Sequence, residues 1–260
     1  MDGTRYPIIL VHGIVLKDIM FFKAFGRIEK LLKRKGYRVF TAKTDGFGRI
    51  ETNAEQLKNY IERVLKDTGA QKVNLIAHSK GGLDSKYMIQ SLGMEDAVAS
   101  LTTLCTPHKG SPVASFLLRL PRPVTKFIAF WINLWYRIFG DKKPDALGVC
   151  RQLQAVDGIE AEAVDFSDKV YCQSYSTTLD KGRDDFVMGI PLMVSRHMEK
   201  APTDGLVSVE SSKFGEYKGE CVDESVSHSE IVDFLAGKDK KEKIYAFYIG
   251  LCEELSAMGF

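Results

Sequence analysis

The apolar run Val73-Asn74-Leu75-Ile76 leads without a break into Ala77-His78-Ser79-Lys80-Gly81, and no other stretch restricts the fold as much. A buried strand that runs straight into x-x-Ser-x-Gly and then into a helix makes a sharp turn, the nucleophile elbow, which lifts a serine hydroxyl clear of a sheet. Strand and helix pass so close there that only small flanking residues fit, and Ala77 and Gly81, two positions either side of Ser79, meet that need. Such a pentapeptide also arises by chance; its place between a strand and a helix gives it weight.

A second element near the amino terminus agrees with it. Tyr6-Pro7-Ile8-Ile9-Leu10-Val11 reads as a strand apolar on both faces, as a parallel sheet demands, and it ends in His12-Gly13-Ile14. A turn after such a strand can supply one backbone N–H to a developing oxyanion, and the residue after the nucleophile the other. Those donors would be Ile14 and Lys80. The bland alternative is that His12-Gly13 only turns the chain.

A chain of 260 residues with 45% hydrophobic content suits one α/β domain with a sizeable core. The net charge of +2 gives no case for nucleic acid. Cys105, Cys150, Cys172, Cys221 and Cys252 are odd in number and show no C-x-x-C spacing, so free core thiols are expected rather than metal ligands or a disulfide framework. Met1-Asp2-Gly3-Thr4 leads almost directly into the first strand, with no basic n-region or apolar h-region. The expectation is therefore a cytoplasmic protein if the chain is full length, and a secreted one if it is a mature form.

Strand and helix signals alternate along the chain. Phe21, Phe25, Ile28 and Leu31-Leu32 form a helical stripe ended by Gly36, and Tyr37-Arg38-Val39-Phe40 follows as a strand. Thr52-Asn53-Ala54-Glu55 reads as a capping box opening a helix that carries Leu57, Ile61, Val64 and Leu65 on one face and stops at Gly69. After the elbow strand come a helix from about Gly82 to Leu92, strands at Val98 to Leu104 and Lys169 to Tyr175, and a last helix from Lys240 to Met258. This alternation predicts an open parallel sheet with helices on both faces, where reactive groups collect at the carboxyl ends of strands. There is no internal repeat.

A serine nucleophile needs a base. Of the five histidines, His12 and His78 belong to the motif turns and His108 follows a strand in Thr106-Pro107-His108-Lys109-Gly110, which leaves His197 and His228. In elbow-bearing folds the chain order is nucleophile, acid, histidine, and His228, in Ser225-Val226-Ser227-His228-Ser229-Glu230, fits the last place. The acid is less sharply marked: Asp204 in Pro202-Thr203-Asp204-Gly205-Leu206-Val207 competes with Asp180, Asp184 and Asp185, and Asp-Gly is also an ordinary turn signal.

Taken together, Tyr6 to Gly13, the Glu55-Gln56-Leu57 helix, the Ala77 to Gly82 elbow, Thr106-Pro107-His108-Lys109-Gly110-Ser111, Asp204-Gly205-Leu206-Val207-Ser208 and His228 span nearly the whole chain. In this order they resemble the bacterial true-lipase group of the α/β-hydrolase superfamily, the kind found in Pseudomonas and Burkholderia. The resemblance implies an α/β-hydrolase fold, with Ser79 as nucleophile, Asp204 as acid, His228 as base and Ile14 and Lys80 as oxyanion donors. Two departures stand out: Ala77 replaces the usual Gly, and Ile14-Val15-Leu16-Lys17 lacks the family's second glycine. No cofactor is required by this chemistry. The family often carries a structural calcium near the catalytic histidine, and the weak candidate ligands here are Glu230, two residues past His228, with Asp180, Asp184 or Asp185.

Substrate class rests on an insertion at about 112–154. Its run Phe127 to Phe139 is too short for a bilayer, which takes roughly 20 residues. Phe127, Phe130, Trp131, Leu134, Trp135 and Ile138 follow helical spacing, Arg119, Arg122, Lys126, Lys142 and Lys143 flank them, and both Trp residues of the protein lie among them. One reading is a core helix of a cap. The functional reading is a lid that hides the site in water and lays its apolar face on a lipid–water interface, its basic flanks meeting anionic head groups. The expected function is hydrolysis of lipid carboxylic esters, with a short-chain carboxylesterase or thioesterase as the enzymatic alternative and a non-catalytic hydrolase-fold binding protein as the alternative of another class.

Overall fold

The computed structural model describes residues 3–14, 23–154, 169–182, 185 and 187–260. Six strands form one parallel sheet in the order β2-β1-β3-β4-β5-β6, where β1 is Ile8–Val11, β2 Val39–Thr41, β3 Val73–His78, β4 Val98–Leu104, β5 Tyr171–Ser176 and β6 Glu216–Glu220. Parallel strands need covered faces, and β1 shows how the sequence meets that need. All four of its side chains are buried; Ile8 and Leu10 pack on one face with Ile76, Leu104, α1 (Ile28–Arg34) and α9 (Lys238–Ala257). Ile9 and Val11 pack on the other with Leu75, Ala77, α2 (Ile50–Thr68) and α3 (Lys80–Ser91). Burying each such aliphatic side chain contributes about 2 kcal/mol, so the alternation fixes which face each helix covers.

The α/β-hydrolase architecture expected from the sequence is present, with differences in its elements. α2 begins at Ile50 behind Arg49, so Thr52-Asn53-Ala54-Glu55 is no capping box; Gln152 Oε1 takes the Ile50 N–H at 3.0 Å, and the Asn53 amide is buried and used elsewhere. Its far end is as read, with Gly69 left-handed at φ 68° and its N–H on Leu65 O. Phe25 lies in a turn ahead of α1, and Phe21 is outside the described residues, as are Val15, Leu16 and Lys17. Edge strand β6 and helices α4 (Pro112–Arg119), α6 (Ala146–Gln152), α7 (Gly189–Glu199) and α8 (Val209–Ser212) were not anticipated. All five cysteines are free thiols, with Cys105, Cys221 and Cys252 buried. Among the described residues no helix is long and apolar enough to cross a membrane.

Between β4 and β5 the aromatic run forms α5 (Arg122–Ile138), of which no residue is buried. Its Ala129 and Ile132 side faces Leu117, Leu120 and Leu147 across a small cleft, Asn133 Oδ1 receives the Ala146 N–H at 2.7 Å, and Tyr136 meets Phe47 edge-on at 4.6 Å. The opposite side carries Phe127, Phe130, Trp131, Trp135 and Ile138, with Phe127 66% and Trp135 55% exposed. α5 is therefore not a core helix of a cap, and its aromatic side is turned outward. The carboxyl end of α5 is fastened reciprocally. Asp141 accepts the Gly46 and Phe47 N–H groups at 3.0 and 2.8 Å, and Asp45 accepts those of Lys142 and Lys143 at 3.0 and 2.9 Å.

Candidate active site

Ser79 stands between β3 and α3 at φ 55° and ψ −133°, a conformation an L-residue holds only when its surroundings impose it. The imposition is visible: its N–H donates to Leu104 O at 2.9 Å, and its carbonyl accepts from Gly82 N–H at 3.0 Å and Thr106 Oγ1 at 2.9 Å. The small residues are needed here because backbones touch. A Cβ on Gly81 would lie 2.6 Å from His12 O, and one on Gly13 2.7 Å from Ser79 Cβ. The His12-Gly13-Ile14 turn is thus pressed onto the elbow, which brings Ile14 and Lys80, the two residues read as oxyanion donors, to one end of the sheet.

Three residues far apart in sequence form one hydrogen-bonded chain. Ser79 Oγ lies 2.9 Å from His228 Nε2, and His228 Nδ1 lies 2.6 Å from Asp204 Oδ2. The buried Asp204 carboxylate can only accept, so Nδ1 carries the proton and Nε2 is free to take one from the serine. Asp204 Oδ1 accepts the Leu206 and Val207 N–H groups at 2.9 and 2.8 Å, and Asp204 O accepts the His228 N–H at 3.0 Å. Asp204 is thereby fixed to its own loop and to His228. Its rivals are elsewhere occupied: Asp185 binds Ser227 and Ser229 hydroxyls, Asp180 is exposed, and Asp184 lies outside the described residues. His197 sits exposed in the last turn of α7.

Two parts of the site escaped the sequence reading. The Lys80 side chain is buried, and its ammonium reaches the Asp84 carboxylate at 2.6 and 2.9 Å, while Asn53 Nδ2 donates to Asp84 Oδ2 at 3.0 Å and to Asp45 O at 2.8 Å. Burial pushes the Asp84 carboxyl up to about 6 against the pull of the Lys80 ammonium. The i, i+4 spacing of a basic and an acidic residue on α3 was the available signal. His78, the residue before Ser79, donates from Nε2 to the His228 carbonyl at 3.0 Å, its ring 4.6 Å from the His228 ring. Burial, then the nearby His228 and His12, hold its imidazole well below its ordinary value, so His78 is a neutral tether and not a base.

Glu230, the carboxylate nearest His228 in sequence among those suggested for calcium, does not fit one, and Asp184 lies outside the described residues. Calcium takes six to eight oxygens. Glu230 has its carboxylate on the Lys240 ammonium at 2.9 and 2.8 Å and on the Ser227 N–H at 2.9 Å. Among the described residues the single group of His, Cys, Asp and Glu ligand atoms that converges is Cys105, Asp204 and His228, within 4.8 Å of one another. Its carboxylate and imidazole are already joined to each other, and the Cys105 thiol is raised well above its ordinary value by the Cys221 thiol beside it, by burial and by the Asp204 charge.

Comparison with known proteins agrees with this geometry. The alpha/beta hydrolase fold family matches residues 6–140. A triacylglycerol lipase of Pseudarthrobacter phenanthrenivorans is 42% identical over 44% of this chain and 37% of its own length, and triacylglycerol lipase 2 of Saccharomyces cerevisiae is 26% identical over 90% of this chain and 73% of its own. The chain thus spans little more than a third of the length of the bacterial relative. The mature form of a Bacillus licheniformis lipase superposes with a TM-score of 0.65 at 19% identity, covering 96% of this chain and 93% of that one, a likeness of fold. The elbow, the strand order and the family match lead to one conclusion: the chain belongs to the α/β-hydrolase fold family.

Proposed function

We propose that the protein is a serine hydrolase that cleaves carboxylic esters of lipids, triacylglycerols being the substrate class that its relatives' names indicate. The observation that carries this reading is the chain Ser79 Oγ, His228 and Asp204, with hydrogen bonds of 2.9 and 2.6 Å. A serine hydroxyl is a weak nucleophile at its own pKa, so His228 Nε2 takes its proton as Oγ attacks the ester carbonyl. Asp204 keeps the imidazole in the required tautomer and stabilises the imidazolium. The backbone N–H groups of Ile14 and Lys80 are the proposed oxyanion donors, each worth on the order of 3 kcal/mol to the transition state. Lys80 opens α3, whose positive dipole end adds to that field. His228 then returns the proton to the leaving alcohol, and a water activated by the same imidazole releases the acid from the acyl-enzyme.

The outward aromatic side of α5 supports a lipid–water interface as the place of action. Arg119, Arg122, Lys126, Lys142 and Lys143 flank it, suited to anionic head groups, with Asp141 the one acid among these residues and itself buried. Hydrolysis of p-nitrophenyl esters of increasing chain length, and of emulsified triacylglycerol, tests the reading. Wild type should cleave both, with a rise in rate once the emulsion forms, and Ser79→Ala should lose at least about 1,000-fold on each. Activity confined to soluble short esters would favour a carboxylesterase instead.

A further inference from the structure

The loop Ser227-His228-Ser229-Glu230 is fastened by charged side chains on both sides of the base. One oxygen of Asp185 accepts the Ser227 hydroxyl at 2.5 Å and the Ser229 hydroxyl at 2.8 Å, the two neighbours of His228. Its other oxygen accepts the N–H groups of Val187 and Met188 at 2.7 and 3.1 Å, which ties the loop to the segment leading into α7. Burial opposes the charge on Asp185, but the hydroxyls of Ser227 and Ser229 and the two backbone donors outweigh it and hold the carboxyl below its ordinary value. Glu230 takes the Ser227 N–H at 2.9 Å and returns its own N–H to Ser227 Oγ at 3.1 Å. The partner that lets Glu230 be buried is Lys240, in the first turn of α9, whose ammonium bridges both carboxylate oxygens at 2.9 and 2.8 Å.

We propose that Asp185 and the Glu230–Lys240 pair form an internal clamp that positions His228, the Lys240 ammonium standing where a metal cation would otherwise balance the loop's carboxylate. The proposal rests on His228 being the base of the serine-hydrolase reading. A divalent ion at Glu230 would have to displace an ammonium held by both oxygens, and Asp185 has already committed its lone pairs to four donors. The clamp matters to rate because a general base must stay aligned with its nucleophile, and a displacement of about 1 Å can cost up to 100-fold. Asp185 and Lys240 touch no reacting atom; they are positioning residues.

The test measures kcat and KM on p-nitrophenyl butyrate, and thermal midpoints, for wild type, Lys240→Met, Lys240→Arg and Asp185→Asn, each with excess EGTA and with added CaCl2. Wild type should change less than about twofold in rate with either addition, and its midpoint should not move. Lys240→Met and Asp185→Asn should lower kcat about tenfold or more with KM within about twofold, and Lys240→Arg, which keeps a cation on Glu230, should recover most of the loss. If Lys240→Met does not fold, Asp185→Asn decides by the same split. Folded variants that keep kcat, with or without a lower midpoint, overturn the clamp, and so does a wild type that loses its rate to EGTA and regains it with calcium. A wild type that hydrolyses no ester at all overturns the underlying reading; an active wild type with unaffected variants overturns the clamp alone.

Discussion

Holding Ser79 at a positive φ costs roughly 1–3 kcal/mol, and the three backbone-directed hydrogen bonds to Leu104, Gly82 and Thr106 offset it. Neutral imidazoles are kept in the fold chiefly by burial. His108, stacked on Phe214 and paired with Thr103 Oγ1 at 3.2 Å, is pushed down to about 3 by burial and then by the Lys86 charge. An unfolded histidine takes a proton below about pH 6.5, whereas folded His108 refuses one until about pH 3, so its contribution is complete above pH 6.5 and is lost as the pH falls through that window. The amount is on the order of 5 kcal/mol for this residue. Urea denaturation at pH 7, 5 and 4 should show stability falling with pH, and His108→Gln should flatten the slope. A variant as acid-sensitive as wild type contradicts the assignment.

At the level of elements, the sequence spoke clearly where a segment's own residues decide its structure. β1 is an apolar run, β3 and β4 are largely apolar segments of strand length, and β4 occupies Val98–Leu104 as read. Elements that depend on neighbours were hidden. β6 has the sequence Glu-Tyr-Lys-Gly-Glu and lies on an exposed edge, so pairing with β5, not hydrophobic content, makes it a strand. Thr52-Asn53-Ala54-Glu55 has the letters of a cap, yet burial of Asn53 against Asp45 and Asp84 places it inside α2. α5 was legible as an amphipathic helix, but which way its aromatic side faces was not, because periodicity shows a face without showing its partner. Trp131 and Trp135 are about half exposed on the outward side of α5. Changing both to Ser should leave soluble short-ester turnover within about twofold while emulsion hydrolysis drops at least about tenfold, each aromatic contributing on the order of 2 kcal/mol at an apolar surface. Equal losses on both substrates would make the aromatic face structural.

Across the whole molecule, the parallel sheet gathers into one place what the sequence scatters. Ser79 and the Gly13 turn sit at the carboxyl ends of neighbouring strands β3 and β1, and the loops carrying Asp204 and His228 close over the same end. Chain order and motif therefore sufficed to name Ser79 and His228, whereas Asp204 needed the family likeness, since a turn Asp looks the same whether or not a histidine stands behind it. His78 and Lys240 were beyond reach because each acts through a contact that only folding creates, and Asp84 showed only its i, i+4 spacing from Lys80. The most direct test of the account is to treat the folded protein with a fluorophosphonate and map the adduct by peptide mass spectrometry. The account predicts one adduct, on Ser79, absent in Ser79→Ala, strongly slowed in His228→Ala and little changed in His197→Ala; an adduct on another residue, or labelling that survives Ser79→Ala, contradicts it.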